Sequence, residues 1–306
     1  MKILVTGGHG FIGSHLVEAL IKDNHDVFVI DDHSNSESTE ITINAKAKNF
    51  DINICHLEKM DEFFKENHPF DYVFHLAADL GTSTPTVAPI RTHVINSLGT
   101  CNLLQYSKIS GVKRFILAST GAVYGLTNKP PYDEDMKVDN MNPHTVSKGS
   151  AEALCEMFYR LYNLPTVSLR LFNVYGDRAK DTGEFAPLVG KILRQKKEGE
   201  KYSVCGDGSR TRDFIHVDDV VRAMVMAAES DNYLIFGEVL NVGSGKEHSI
   251  MEVIDLADRR EGKKYHFLPA REGESLKSCA NIDKIKKMLG WEPSTSLEDY
   301  INSKNS

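Results

Sequence analysis

Short apolar runs rich in β-branched residues alternate with segments of helical periodicity through the first half of the chain. The chain opens with a predicted strand at Lys2–Thr6, a helix at Ser14–Lys22 and a second strand at Asp26–Ile30. The same alternation continues and predicts strands at Asp51–His56, Tyr72–Leu76, Val112–Ala118 and Thr166–Leu171, and helices at Lys59–Glu66, Arg91–Ser110 and Pro143–Tyr162. Strands that alternate with helices in this way predict a doubly wound α/β fold around a parallel sheet, a Rossmann fold.

The alternation loosens beyond residue 172, where the predicted elements become shorter. They are helices at Ala186–Lys197, Val217–Glu229, Ser249–Ala257 and Ile282–Leu289, and strands at Lys201–Gly208, Arg210–His216 and Glu238–Val242. We therefore expect two units, a Rossmann domain at 1–172 and a smaller α/β substrate lobe at 173–306, with some later segments returning to the first domain. In open α/β sheets the ligand lies at the carboxyl ends of the strands, so a second lobe over that edge would complete a pocket.

A glycine-rich turn joins the first predicted strand to the first predicted helix. Gly7 permits a tight turn, Gly10 lets the backbone approach a pyrophosphate, and Gly13 lets the helix pack against the strand. The start of the helix offers free N–H groups and partial positive charge to phosphates. The second strand ends in Asp31-Asp32, where a carboxylate can accept both hydroxyls of an adenosine ribose. This order of elements predicts a dinucleotide site.

The acid at the end of the second strand also predicts which dinucleotide is bound. A 2′-phosphate would meet the Asp31 carboxylate, and no Arg or Lys lies between Lys22 and Lys46 to offset that charge. The sequence therefore favours NAD over NADP.

Composition excludes several classes of partner. The 306 residues carry 36 Lys and Arg against 43 Asp and Glu, a net charge of −7, so there is no basic footprint for nucleic acid. No apolar stretch approaches the ~20 residues of a membrane span, and no signal-peptide pattern is present. The five cysteines are scattered without a C-x-x-C pair, which favours buried free thiols in a reducing cytoplasm. His9, His75 and His216 lie in separate motifs without ligand spacing, so no metal site is predicted.

Seven motifs, in order and over nearly the whole length, resemble the extended short-chain dehydrogenase/reductase family, and within it the nucleotide-sugar epimerases and dehydratases. The motifs are TGGHGFIG at 6–13, HLAA at 75–78, N-x-x-G-T at 96–100, STGAVYG at 119–125, LRLFNVYG at 169–176, GDGSRTRDFIHVDDV at 206–220 and LGWEP at 289–293. The resemblance implies hydride transfer between NAD and a sugar carbon, usually C4, of a nucleotide-diphosphate sugar. It implies a homodimer as well, paired through the helices around 91–110 and 143–162.

The resemblance also assigns residues to the two ligands. Those implied to bind the cofactor are Gly7, Gly10, Phe11, Ile12, Gly13, Asp31, Asp32, Leu76, Ala77, Ala78, Asn96, Ser119 and Lys148. Those implied to contact the substrate are Thr120, Asn173, Arg212 and Arg271, the two arginines as a clamp on the diphosphate. Thr120 matches the family's Ser/Thr that hydrogen-bonds the reacting oxygen, and Lys148 the lysine that holds the nicotinamide ribose.

The family's catalytic tyrosine is replaced in this chain. The position four residues before Lys148 is His144. One interpretation makes His144 the base, because imidazole titrates near pH ~6.5 and a neighbouring ammonium would keep it neutral. A second gives the proton transfer to another group, such as Tyr124, Asp79 or Thr84. A third leaves a site that binds NAD and sugar but turns over poorly.

The residues after Thr120 favour one reaction type within the family. Members that resemble 4,6-dehydratases carry Asp-Glu there, because elimination of water needs an acid and a base. This chain has Gly121-Ala122 instead, which resembles the 4-epimerases. The sequence therefore predicts 4-epimerisation, with a dehydrogenase or reductase that releases its keto-sugar, or a weakly catalytic binding protein, as alternatives.

Overall fold

The computed structural model describes residues 1–34, 41–79, 89–183, 186–270 and 275–305. Within these ranges the strands are β1 Lys2–Thr6, β2 Asp26–Ile30, β3 Lys48–Phe50, β4 Tyr72–His75, β5 Arg114–Thr120, β6 Thr166–Leu171, β7 Asn173–Tyr175, β8 Tyr202–Cys205, β9 Thr211–His216, β10 Glu238–Val242, β11 Glu247–Ser249 and β12 Tyr265–Leu268. The helices are α1 Phe11–Lys22, α2 Leu57–Asn67, α3 Pro89–His93, α4 Thr100–Ile109, α5 Pro143–Tyr162, α6 Leu188–Glu198, α7 Val217–Glu229, α8 Ile250–Ala257, α9 Asp283–Leu289 and α10 Leu297–Lys304.

The described residues form a seven-stranded sheet in the order β3-β2-β1-β4-β5-β6-β10, and every neighbouring pair in it is parallel. Helices cover both faces, so the strands are buried on both sides; all six residues of β6 are buried. The chain moves outward in one direction from β1 and returns to start again at β4. Ligands bind at the carboxyl ends of strands beside such a reversal, which confirms the predicted Rossmann fold and locates its cleft.

Two smaller sheets lie outside the main one in the described part of the chain. One has the order β11-β9-β7 and the other pairs β12 with β8. β10, which follows residue 172, pairs with β6 at the edge of the main sheet. Later segments therefore return to the first sheet, while the domain division at 172/173 stays a prediction.

The third strand and the long predicted helix differ from expectation. β3 lies at 48–50 rather than 51–56, because Asn53 accepts the backbone N–H of Cys55 and turns the chain. Ile54 is buried against the helical layer, so its apolar character does not mark a strand. The predicted helix at 91–110 is divided by a π-helical segment, Val94–Gly99, into α3 and α4. Short π segments of this kind occur frequently at functional sites.

Three short strands and one helix were not predicted, namely β7, β11, β12 and α10. β7 and β11 contain three residues each, which is too short to give a periodic pattern. No helix in the described ranges has the length and apolarity that crossing a membrane would require.

Candidate active site

The turn between β1 and α1 is possible only with glycine at two of its positions. Gly7 has φ +71°, and a Cβ there would lie 2.6 Å from the backbone nitrogen of Ala77. A Cβ on Gly13 would lie 2.1 Å from the carbonyl oxygen of Gly7. Gly10 is different, because the nearest atom to its Cβ would be 3.5 Å away and the residue lines a cavity. The space beside Gly10 is therefore open to a ligand at the start of α1, where backbone N–H groups favour phosphate.

A cavity of about 520 Å³ lies along the carboxyl edge of the sheet. The predicted ligand residues that line it are Gly7, Gly10, Phe11, Ile12, Gly13, Asp31, Asp32, Leu76, Ala77, Ala78, Ser119, Thr120, His144 and Lys148. Its lining combines the glycine turn, the two acids after β2 and the small residues after β4, a set that fits a dinucleotide.

Two backbone N–H groups hold the Asp31 carboxylate. Oδ2 accepts from His9 at 3.0 Å and Oδ1 accepts from His33 at 2.9 Å. Each carboxylate oxygen has a second lone pair, so Asp31 can still accept from ribose hydroxyls. Asp32 is held by Asn53, whose amide donates to Oδ2 at 2.6 Å. His33 and Asn53 line the cavity without having been predicted. The Asp-Asp-His run was an available signal for His33, but nothing local marks Asn53.

Asn96 has a different position from the one its motif implied. Its side chain accepts from the backbone of Asp79 at 2.7 Å and donates to the carbonyl of the same residue at 2.8 Å. It also donates to Ser147 at 3.0 Å. Asn96 is not among the described residues that line the cavity. Its amide fixes the chain after β4 to α5, behind the cavity wall.

Three predicted catalytic side chains line the same cavity, and the local sequence explains their placement. Thr120 ends β5, and its hydroxyl oxygen accepts the N–H of Ala122 at 3.1 Å. That bond leaves the hydroxyl proton for a ligand oxygen. α5 begins after Asn142, which forms a capping box with Thr145, so His144 and Lys148 follow one turn apart on one face.

The hydrogen bond of His144 determines which ring nitrogen can act as a base. Nδ1 lies 3.3 Å from the carbonyl oxygen of Asp79, which can only accept, so the neutral ring carries its proton on Nδ1. Nε2 then carries the lone pair. Burial and, secondarily, the charge of Lys148 lower the pKa of His144 to about 4. The imidazole is therefore neutral at pH 7 and able to accept a proton, although it is a weak base.

Lys148 is nearly fully buried, and its ammonium donates to the carbonyl of Ala118 at 2.8 Å. Burial lowers its pKa to about 8, against the opposing charge of Glu152. Glu152 is itself buried and pairs with Arg170 through two hydrogen bonds of 3.0 and 2.8 Å. It also accepts the hydroxyl of Ser119 at 2.5 Å. The side chain of Ser119 is therefore bound to the buried Glu152 beneath the site, a contact that the motif did not indicate.

Two of the alternative bases do not line either of the described cavities. Tyr124 is fully buried, and its hydroxyl donates to Asn241 at 2.7 Å. Because Tyr124 is fully buried and lines neither cavity, the suggestion that it acts as the base is wrong. Burial also raises the pKa of Tyr124 to about 12. The Asp79 carboxylate accepts from Thr92 at 2.6 Å and is likewise engaged away from the cavity. Thr84 lies outside the described residues.

A second cavity of about 530 Å³ meets the first at Thr120, which lines both. Asn173 and Arg212, predicted to contact the substrate, line this second cavity. Asn173 donates to the carbonyl of Asp213 at 3.1 Å, and Arg212 donates to the carbonyls of Thr211 and Ser275 at 2.8 and 2.9 Å. Arg271 lies outside the described residues. Arg210 also lines the cavity and was not predicted, although it lies in the same motif.

Residues 3–243 match the model of the NAD dependent epimerase/dehydratase family. The chain belongs to this family. Its cofactor is NAD, in agreement with the prediction from Asp31. A crystal structure of UDP-glucose 4-epimerase from Thermotoga maritima with UDP-glucose is 36% identical, with a TM-score of 0.90, and the match covers 98% of this chain and 96% of that one.

Two further relatives show the range of reactions within the family. The UDP-glucose 4-epimerase of Thermus thermophilus, solved in complex with NAD, is 28% identical with a TM-score of 0.87, and the match covers 100% of this chain and 99% of that one. The UDP-N-acetyl-alpha-D-glucosaminuronate decarboxylase of Bacillus cytotoxicus is 34% identical over 316 residues, 98% of this chain and 95% of that protein. Membership thus indicates an NAD-dependent enzyme and leaves its reaction to the geometry of the site.

Proposed function

We propose that this protein catalyses the NAD-dependent 4-epimerisation of a nucleotide-diphosphate sugar. The observation that carries the proposal is the meeting of the two cavities at Thr120, with His144 and Lys148 lining the cofactor side. A sugar attached to a diphosphate in the second cavity would reach this junction, because Thr120 lines both cavities. The relatives described above act on UDP-sugars, and this supports the same substrate class.

Each residue at the junction has a defined role in this proposal. Bound NAD supplies the acceptor and donor of hydride. His144 accepts the proton of the C4 hydroxyl on Nε2, since Nδ1 is engaged with Asp79. Thr120 donates its hydroxyl proton to the same oxygen. Lys148 holds the nicotinamide ribose, and its positive charge disfavours imidazolium, so the proton returns readily to the sugar.

The imidazole nitrogen falls about 2 Å short of the place that a tyrosine oxygen would occupy, on standard bond lengths. A water molecule or a shifted sugar would bridge this gap. Elimination of water at C5 and C6 is disfavoured, because Gly121 and Ala122 offer neither an acid nor a base. A Cβ on Gly121 would already lie 3.0 Å from the ring of Phe172, so a larger residue fits poorly there. Gly121 and Ala122 both line the second cavity, and the absence of long side chains there is compatible with a keto-sugar that turns over.

A weakly catalytic protein that binds NAD and a nucleotide sugar is the second candidate. The pKa of about 4 for His144 favours it, because a base of that strength takes a proton from an alcohol only at a high energetic cost. A dehydrogenase or reductase that releases its keto-sugar is a third possibility within the enzyme class.

The test uses the purified protein, NAD and a panel of UDP-, GDP-, dTDP- and CDP-sugars, with products followed by proton NMR. We expect the C4 epimer of one nucleotide sugar, with no net NADH. Free keto-sugar with stoichiometric NADH would select the dehydrogenase, and tight binding of both ligands without products would select the binding protein.

We also propose a cytoplasmic homodimer, paired through α4 and α5. All five cysteines are free thiols, which suits a reducing compartment, although only Cys155 is buried as predicted and the other four are partly exposed. On α5, Leu161 is 65% exposed, and Ile109 at the end of α4 is 69% exposed, so both offer apolar surface to a partner. Light scattering that gives the monomer mass of 34.2 kDa would reject the dimer.

A further inference from the structure

Two histidines and an aspartate converge at the adenosine end of the cofactor cavity, although the sequence separates them. His9 Nδ1 lies 2.7 Å from His33 Nε2, and the two rings stack with centroids 5.0 Å apart. One ligand-type atom from each of His9, Asp31 and His33 lies within 4.8 Å of those from the other two. Among the described residues, no other group of three has this arrangement.

The surrounding hydrogen bonds direct a lone pair of His9 toward His33. The Asn49 amide nitrogen donates to the carbonyls of Asn44 and Ala47, so its oxygen faces His9 Nε2, at 2.7 Å. That oxygen can only accept, so a neutral His9 carries its proton on Nε2 and its lone pair on Nδ1. His33 then donates from Nε2. If the His33 proton moves to Nδ1, both facing nitrogens carry lone pairs, with no change in charge.

We propose that His9, His33 and Asp31 form a transition-metal site that overlaps the place of the adenosine ribose, so that a zinc-class divalent ion and NAD exclude each other. Two imidazoles and a carboxylate are the donor set that Zn²⁺, Co²⁺ and Ni²⁺ favour, with water completing the coordination. Metal–nitrogen distances of about 2.0–2.1 Å separate two tetrahedral ligands by about 3.3 Å, so the rings must move slightly apart. The backbone N–H groups that hold Asp31 would fix the third ligand in place.

The divalent ion and NAD exclude each other because both would bind the carboxylate of Asp31. An ion bound to Asp31 occupies the lone pairs that the ribose hydroxyls require, and the ion and its water fill the same end of the cavity. This part of the inference rests on the proposed position of the NAD ribose at Asp31, whereas metal binding itself does not. Metal at this site would reduce cofactor binding without touching the catalytic residues.

The experiment first measures metal binding without cofactor, by titrating the NAD-free protein with Co²⁺ and recording its visible absorption. We expect bands of a nitrogen- and oxygen-coordinated ion in a one-to-one complex, lost in the His33→Ala variant and displaced by Zn²⁺. The matched control is His266→Ala, which removes an exposed histidine on β12 and should keep the bands. Bands with thiolate character, or bands that persist in His33→Ala, would overturn the site.

The second step measures the Kd of NAD by calorimetry with and without Zn²⁺. With Zn²⁺ at about ten times its own dissociation constant, competition raises the apparent Kd of NAD about elevenfold. The same Zn²⁺ should leave the Kd unchanged in His33→Ala, with the metal-free value of that variant as its reference. If Zn²⁺ binds the three residues but does not change the Kd of NAD, the overlap is wrong. NAD binding and turnover without metal test the proposed function separately.

Discussion

The two cavities that meet at Thr120 have nearly the same volume, about 520 and 530 Å³, but they are constructed differently. The cofactor cavity lies along one edge of the main sheet, and its lining residues between positions 7 and 34 all belong to the single unit of β1, α1, β2 and the turns that follow the two strands. The lining of the substrate cavity comes from the ends of β5 and β6, strands of the two small sheets, the helices α5, α6 and α8, and the loops between them. From this difference we expect ligand binding in the cofactor cavity to be sensitive to changes in the backbone of one short segment. Binding in the substrate cavity should instead be sensitive to the loss of individual side chains.

The largest effect is expected beneath the cofactor cavity, in the buried pair of Glu152 and Arg170. The Glu152→Gln variant leaves the Arg170 charge buried without its partner, and we expect a loss of about 3–5 kcal/mol in the free energy of unfolding. The matched control is Glu156→Gln, one turn further along α5, where the pair with Arg160 is exposed. That variant should lose about 0.3–0.5 kcal/mol. Urea unfolding measures both, and equal losses would show that burial does not determine the strength of these pairs.

Substitutions at two glycines of the turn should affect protein stability and cofactor binding differently. In Gly13→Ala the new Cβ meets backbone 2.1 Å away, and we expect a loss of about 3 kcal/mol or more in the free energy of unfolding. Gly10→Ala adds the same atom where no described atom lies within 3.4 Å, so its stability without NAD should stay close to native. NAD affinity should nevertheless fall, because the methyl enters the space for the pyrophosphate. Thermal unfolding with and without NAD tests this, and a Gly10→Ala protein that NAD stabilises normally would contradict the proposed position of the pyrophosphate.

In the substrate cavity we expect the loss of a single side chain, Arg212, to weaken the binding of the nucleotide diphosphate. Arg212→Met should weaken UDP binding about tenfold to a hundredfold, through loss of a charge-assisted hydrogen bond to the diphosphate. NAD binding should be retained. Arg259→Met, which removes an exposed arginine paired with Glu298, serves as the control and should bind UDP normally. Calorimetry gives both affinities, and unchanged UDP binding in Arg212→Met would remove this residue from the diphosphate site.

A change of pH should have the mildest effect on turnover, because it alters the charges of His144 and Lys148 without altering the structure. His144 must be neutral and Lys148 charged, so kcat/KM should be flat between the pKa values of about 4 and about 8. It should fall below the first value as the imidazole protonates, and above the second as the ammonium loses its proton. In His144→Tyr the acidic limb should move to higher pH, because a phenol must lose its proton to act as the base. A native profile that falls between pH 7 and 6 would contradict a neutral His144.

Much of the cofactor cavity could be predicted because its determinants are local in the sequence. The glycines, the small residues after β4 and the acids after β2 each lie within a few residues of a recognisable strand. The position of the Asn96 side chain, which lies in the π-helical segment, could not be predicted. Tertiary contacts with Asp79 and Ser147 determine where its amide points, and these partners are distant in the sequence. Tyr124 was open to misinterpretation for the same reason, since only the fold brings Asn241 to its hydroxyl. The convergence of His9 with His33 likewise depends on the pairing of β1 with β2.

The most direct test of the central claim compares native protein, His144→Phe and His144→Tyr in the same NMR assay of C4 epimerisation. The account predicts turnover by the native protein and a rate about 10²–10⁴-fold lower in His144→Phe. NAD and UDP affinities should be unchanged, and activity should be retained in His144→Tyr. If His144→Phe is as fast as native, His144 is not the base. If only His144→Tyr turns over, the native chain is a binding protein, and the proposed epimerase activity is wrong while the NAD site stands.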